Sequence, residues 1–265
     1  SQPIEDNTYI IGFNGEIFNY KELIQKYFPS TKINSEIRLL LELWKKKGKN
    51  FVHLLNGQFA IFIYNKKTEE IFLFRDPFGI RPVFFYKDKN KFLFASEIKS
   101  LISVLKRSFE IDEKSLMQIS MFWTNLGSQT SIKDIYSLKP GHYLEKKKDK
   151  INIISYYKNP SFDNKDIKYN KNNLEKELYD QISESVRNQI HGEVGHACYL
   201  SGGIDSSSIA YLLSKEIKNL DTFSVEFENE DYDESKTQKI VSKYLKSKHY
   251  SITIKKGDIA KIFPK

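Results

Sequence analysis

The chain has 265 residues, 40% of them hydrophobic and 29% charged, the balance of a soluble globular protein with room for two cores. One cysteine excludes an internal disulfide, and five scattered histidines show no zinc spacing, so a cytoplasmic enzyme is the simplest setting. The net charge of +8 comes from dispersed lysines at 45–47, 66–67 and 146–148, which read as a solvated surface and not as a nucleic-acid footprint, and no apolar run is long enough to cross a bilayer.

The first part of the chain reads as β-rich. A strand over 8–13 is predicted to end at Asn14-Gly15, a dipeptide suited to tight turns. Ile37, Leu40, Leu41 and Trp44 recur at helical spacing, which predicts an amphipathic helix over 36–47. Four strands follow at 57–64, 70–75, 83–87 and 91–96, with Phe59, Ile61 and Ile63 alternating as in a sheet with unlike faces. Short helices are predicted at 97–104 and 113–121, then strands near 142–146 and 151–157. Residues 159–172 are too polar to pack and read as a linker. Beyond it, helix 173–190, strand 194–200, helix 205–216, strand 222–227, helix 233–245 and strand 249–254 alternate, which implies a parallel sheet. The domains are therefore placed at 1–158 and 173–265.

Chemistry concentrates first in Ser201-Gly202-Gly203-Ile204-Asp205-Ser206-Ser207, which follows the strand His196 to Leu200. Glycines admit a close ligand and positive φ, and the helix that follows aims its free N–H groups and positive dipole end at the loop. Ser201, Ser206 and Ser207 add hydroxyls. Asp205 would repel phosphate unless Mg²⁺ lies between them. A strand-to-helix turn with a serine cap is the plain alternative. The loop lacks both the Gly-Lys-Ser ending of a Walker loop and the dinucleotide glycine spacing. It resembles the PP-loop of ATP pyrophosphatases, which cleave ATP between its α and β phosphates and adenylate a substrate.

Asn14-Gly15-Glu16-Ile17-Phe18-Asn19, Gly57-Gln58-Phe59-Ala60, Arg75 to Pro82, Phe94 to Lys99 and Pro140-Gly141-His142 come in that order before the loop. Together they resemble the class II glutaminase domain of glutamine-hydrolysing asparagine synthetase, and the resemblance runs over nearly the whole chain. It implies an N-terminal nucleophile (Ntn) hydrolase-type αββα sandwich followed by an α/β Rossmann-like parallel-sheet ATP-pyrophosphatase domain, both expected to be incomplete. It assigns the Asn14 amide and the Gly15 N–H to the oxyanion of amide hydrolysis. Glutamine binding would involve Asn14, Gly15, Glu16 and Glu36. Where the family has Ser-Asp, this chain has Ser35-Glu36, so the acid facing the glutamine α-ammonium is one methylene longer. Leu200, Ser201, Gly202, Gly203, Asp205, Ser206 and Val225 would bind ATP, with Asp205 toward Mg²⁺. Arg75-Asp76 invites a catalytic role, but a salt-linked turn before Pro77, shaping the domain interface, is the expectation. Asp233-Glu234 reads as capping and dipole matching at a helix start.

The family's glutaminase uses an N-terminal cysteine whose own α-amino group is the base. Cys198 lies in a strand of the other domain and reads as packing. Ser1 aligns downstream of the family's nucleophile. The expectation is a fragment lacking both ends, without glutaminase activity of its own. The resemblance implies that the complete enzyme amidates aspartate to asparagine through a β-aspartyl-adenylate, with glutamine, aspartate and ATP as its substrates and a homodimer as one option. The alternatives are a relative acting on a sugar acid or closing a β-lactam ring, and a non-catalytic nucleotide-binding module.

Overall fold

The computed structural model describes residues 2–158, 173–190 and 195–262, with the side chains of 259 and 262 set aside. It divides into two compact units, residues 1–164 and 165–265. The expected linker at 159–172 lies outside the described residues.

The first unit runs β1 (Ile4–Glu5), β2 (Tyr9–Ile17), α1 (Tyr20–Tyr27), α2 (Glu36–Lys47), a 3₁₀ segment (Gly48–Leu54), β3 (Gly57–Asn65) and β4 (Glu70–Arg75). It continues with β5 (Phe84–Lys87), β6 (Phe92–Ala95), α3 (Ile98–Leu105), α4 (Glu113–Phe122), β7 (Ile135–Ser137), β8 (His142–Lys147) and β9 (Lys150–Ser155). One sheet has the order β1-β2-β3-β4-β8-β9 and a second has the order β6-β5-β7. The strands of both sheets that pair do so antiparallel.

Alternation along the strands sets the layers. Phe59, Ile61, Ile63, Phe72 and Phe74 face a core shared with Leu39, Leu40, Leu43 and Trp44 of α2. Trp44 meets Phe51 and Phe74 edge-on, with ring centroids 5.8 Å and 6.1 Å apart. The residues between them, Ala60, Phe62, Ile71 and Leu73, face the other way and pack with Phe85, Phe92, Phe94 and Tyr136 of the second sheet. The far side of that second sheet, at Tyr86 and Ile135, packs on Leu101 and Ile102 of α3. The order helix, sheet, sheet, helix is the expected αββα stack.

In the second unit, α5 (Leu174–Gln189), β10 (Ala197–Tyr199), α6 (Ile204–Glu216), β11 (Asp221–Phe227), α7 (Ser235–Leu245), β12 (Lys248–Ile254) and α8 (Asp258–Ile262) alternate. The three strands are parallel in the order β10-β11-β12. The core is small: Cys198, Leu200, Ala210 and Leu220, with Val241 and Leu245 against them.

Four expectations change. The strand predicted to stop at Asn14-Gly15 runs on to Ile17, paired with Gly57–Asn65 throughout. A local turn preference loses here to a close backbone approach. A Cβ on Gly15 would lie 2.0 Å from the Gln58 carbonyl oxygen, one on Gly57 would lie 2.2 Å from that of Glu16, and Gly15 holds φ +147°. The helix expected from 233 begins at Ser235, and the strand expected over 194–200 is a three-residue strand. Arg75-Asp76 is a turn tied to backbone groups instead of one closed by a salt link. The buried Asp76 carboxylate accepts from the N–H groups of Phe59, Phe78, Ile80 and Arg81, while the Arg75 guanidinium donates to the carbonyls of Gly79, Arg81 and Leu138. Burial lowers the Arg75 pKa from its ordinary value, with the neighbouring Asp76 charge opposing.

Candidate functional site

Two constellations gather the residues expected to carry chemistry, one in each unit. In the first, the pairing register decides where the backbone donors of β2 point. Both polar groups of Phe59 turn toward Asp76, away from β2. In an antiparallel ladder neighbouring residues alternate their bonding side, so Gly12, Asn14 and Glu16 bond toward β3 and Phe13, Gly15 and Ile17 face the opposite edge. β1 covers that edge only at Ile10 and Ile11. Beyond it, the Phe13 N–H donates to Gln2 Oε1 at 2.7 Å and the Ile17 N–H donates to Glu36 Oε1. The Gly15 N–H lies between these two, in a row of donors that side-chain oxygens already recognise.

The Asn14 side chain is exposed at the same place. It stands at a cavity of about 350 Å³ between the two sheets, lined also by Gly12, Ala60, Phe62 and Phe94. Glu36, at the first turn of α2, is half-buried and reaches the end of the strand that carries Asn14, Gly15 and Glu16. The structure thus brings the four residues expected at a glutamine site to one strand end. Cys198 is elsewhere. It is buried in β10, its Sγ contacts the Tyr199 carbonyl at 3.3 Å, and burial pushes the thiol pKa up. Ser1 lies outside the described residues.

In the second unit the loop joins β10 to α6, and Gly203 is the helix N-cap. The two glycines do different work. Gly202 holds φ +87°, and a Cβ there would sit 3.0 Å from the Thr237 Cβ, so it lets α7 close against the loop. A Cβ on Gly203 would meet nothing nearer than the Ser201 Oγ at 3.4 Å, so that side is open for a ligand. The serines tie the loop to itself. Ser201 Oγ and Ser206 Oγ are 2.9 Å apart, the Ser201 N–H donates to Ser206 Oγ at 3.2 Å, and Ser206 Oγ donates to the Gly203 carbonyl at 3.2 Å. The Ser207 hydroxyl is turned inward and buried. The first N–H groups of α6 have no carbonyl one turn earlier to accept them and are available to an anion.

Beside the loop is a cavity of about 210 Å³, lined by Leu200, Ser201, Val225, Phe227, Tyr232 and Gln238 among others. Leu200 is buried and held by its N–H to the Phe223 carbonyl at 2.8 Å, and the Ser224 hydroxyl donates to its carbonyl. Both residues expected near the adenosine, Leu200 and Val225, meet in this one cavity. Asp205 is exposed on the first turn of α6. Among the described residues no group of three or more His, Cys, Asp or Glu side chains could hold a metal. Asp233 accepts from the Phe227 N–H and the Ser235 hydroxyl; these bonds, the hydroxyl first, lower its pKa, and it fastens the loop before α7 to the end of β11.

Gln238, Tyr232 and Gln2 escape sequence reasoning. Gln238 had a readable signal, since it falls on the same helical face as Val241 and Leu245, where an apolar residue is the rule. Gln2 and Tyr232 had none.

Residues 1–157 match the family model of the glutamine amidotransferase domain, and residues 177–265 match that of asparagine synthase. Over 260 residues the chain is 33% identical to a Methanocaldococcus jannaschii protein provisionally named asparagine synthetase [glutamine-hydrolyzing] 2, covering 97% of this chain and 50% of that protein. It is 32% identical to asparagine synthetase [glutamine-hydrolyzing] 1 of Bacillus subtilis, covering 100% of this chain and 42% of the relative. The chain spans about half the length of these relatives or less. Among solved structures, the glutamine phosphoribosylpyrophosphate amidotransferase of B. subtilis matches at 14% identity and a TM-score of 0.43, covering 94% of this chain and 48% of that one. No helix among the described residues is long and apolar enough to cross a membrane.

Proposed function

The chain belongs to the glutamine amidotransferase family, with an asparagine synthase domain behind it, and from that premise we propose that it serves the ATP-dependent amidation of aspartate to asparagine. In this reading glutamine is hydrolysed at the first unit and ammonia reaches the second. There ATP adenylates the aspartate side chain, ammonia displaces AMP, and pyrophosphate is released.

The residues fit those tasks in the following way. The Gly15 N–H and the Asn14 amide are donors for the oxyanion that forms when the glutamine amide is attacked. Glu36, fixed at the strand end through the Ile17 N–H, offers a carboxylate to the substrate's α-ammonium. Glu16 holds the polar end of glutamine. The single cysteine, buried in β10 with its pKa raised, is no nucleophile. The 265 residues alone are therefore expected to release no ammonia from glutamine.

In the second unit the loop N–H groups and the hydroxyls of Ser201 and Ser206 hold the β and γ phosphates, and the base lies between Leu200 and Val225. Asp205 would hold magnesium, which when bound would supply charge neutralisation between the carboxylate and the phosphates. The observation that carries the reading is the open side of Gly203 beside the cavity floored by Leu200 and Val225.

Calorimetric titration of the chain with MgATP tests it. Saturable binding that inorganic pyrophosphate displaces is expected. No saturable binding up to roughly 10 mM, a ligand too weak to be held by a built site, sinks it.

A further inference from the structure

One surface of the first unit reverses the usual sense of an amphipathic helix. α4 turns Ser115, buried, and Gln118, half-buried, toward its own unit. Leu116, Met117, Met121, Phe122, Trp123 and Leu126 stand exposed on the helix and on the turn that follows it. Met121 is 68% exposed and Trp123 92%. Trp123 closes the helix with a left-handed backbone at φ +60°, a conformation costly to a side chain of this size. A helix of 10 residues is marginal in water without an apolar face to pack, and here that face is open.

The presentation is fixed. At its base Ile111 bridges Ile132 antiparallel, the Asp112 N–H donates to the Ser131 carbonyl at 3.0 Å, and the Lys133 N–H donates to the Glu110 carbonyl at 2.9 Å. Asp112 Oδ1 caps the helix through the Ser115 N–H at 2.9 Å. Gln118 Oε1 accepts from the Leu126 N–H at 2.8 Å and so holds the turn beyond Trp123. A partner meets a surface already ordered.

Size and charge narrow the partner. The six side chains expose on the order of 700 Å² of apolar surface, more than a monomer ordinarily leaves open and close to one side of a standard interface. Residues 115–132 carry no charged side chain, in a chain that is 29% charged with a net charge of +8. Two copies of so basic a chain repel over most of their surfaces and approach closely where neither brings charge. A lipid surface selects a helix with lysines and arginines flanking the apolar face. α4 has Lys114 alone, beside Glu113. The face also complements itself. Helical spacing sets the small, exposed Ser120 beside Met117 and Met121, leaving a gap that a methionine of an antiparallel copy fills.

We propose that two copies of this chain dimerise about a two-fold axis through α4, with Met121 and Trp123 as the anchoring side chains. The interface is independent of the nucleotide-site reading above.

Sedimentation equilibrium of the chain tests it, at about 0.15 M salt so that distant charges are screened. A reversible dimer with a Kd of about 10 µM or tighter is expected. Met121→Glu combined with Trp123→Glu should weaken association by about 100-fold or more. Lys89→Glu, at an exposed site elsewhere and with the same change in net charge, should leave it within about threefold. Trp123 supplies a readout that needs no variant. The only other tryptophan, Trp44, is buried in the core, so iodide quenching of the emission reports Trp123 and should fall as the dimer forms. A chain that stays monomeric at about 100 µM overturns the proposal, and the face is then covered by a further segment or another protein. A dimer that survives the double variant, or that forms with quenching unchanged, overturns it too, because the copies then meet elsewhere. Growth beyond the dimer excludes a closed two-fold contact and overturns it as well.

Discussion

The two candidate sites are held in place by different means. At β2 the positions of Asn14, Gly15 and Glu16 follow from a nine-residue pairing with β3, so the donors point where the register sends them. At 201–206 the shape depends on bonds among two serine hydroxyls, a carbonyl and two N–H groups, and a phosphate can accept from the hydroxyls and the N–H groups in place of their present partners. The surroundings differ in the same sense. Among the described residues, the core behind β2 has sixteen buried apolar members, while the loop sits on one of four. A site built into a ladder is preorganised and intolerant of change. A site built from self-satisfied polar groups is adaptable, because ligand binding exchanges one set of hydrogen bonds for another.

That contrast can be broken most forcefully at Asp76. Its carboxylate collects four backbone N–H groups, including that of Phe59, the residue paired with Gly15. Asp76→Asn sets an amide nitrogen against those donors with no water to intervene. A loss of about 4 kcal/mol is expected, read as a shift in chemical denaturation of the first unit with the second unit's transition unmoved. A loss below about 1 kcal/mol would mean that the ladder, and not the carboxylate, holds this end of β3.

Gly15→Ala is the next largest. The new methyl would meet the Gln58 carbonyl oxygen at 2.0 Å on a backbone at φ +147°. Strain and overpacking together should cost about 3 kcal/mol. The same denaturation curve measures it, and a neutral result would show that β2 can separate from β3 at the glycine, contrary to a register-built site.

Much of this frame was legible in the sequence, and the exceptions have physical causes. Strands at 57–65, 70–75, 84–87 and 92–95 and the helix at 36–47 lie within about a residue of their expected bounds, because the strands are short apolar and aromatic runs bounded by polar turns and the helix carries an apolar stripe. α1 was missed because eight residues with one buried side chain, Leu23, make no stripe. β7 has three residues and exists by pairing with β5. Asn14-Gly15 misled because a glycine needed for close strand contact looks in sequence like one needed for a turn. The strand–loop–helix setting of 201–207 was legible, but the part of Gly202 in docking α7 was not. It depends on Thr237, thirty-five residues away in the chain and 3.0 Å from the missing Cβ.

The smallest effect is the most discriminating. Ser206 Oγ touches the Ser201 N–H, the Ser201 hydroxyl and the Gly203 carbonyl, yet the group is near the surface, where water can replace each bond. Ser206→Ala should therefore cost under about 1 kcal/mol of stability. If the hydroxyl turns to the triphosphate when nucleotide arrives, the same change should weaken MgATP about tenfold, equivalent to about 1.4 kcal/mol. Stability and affinity are thus expected to respond in the opposite proportion to that at Asp76 and Gly15. A variant that loses about 2 kcal/mol of stability while binding MgATP normally would make Ser206 a cap of α6. The loop would then be as rigidly prescribed as the strand, and the distinction between the two sites would disappear.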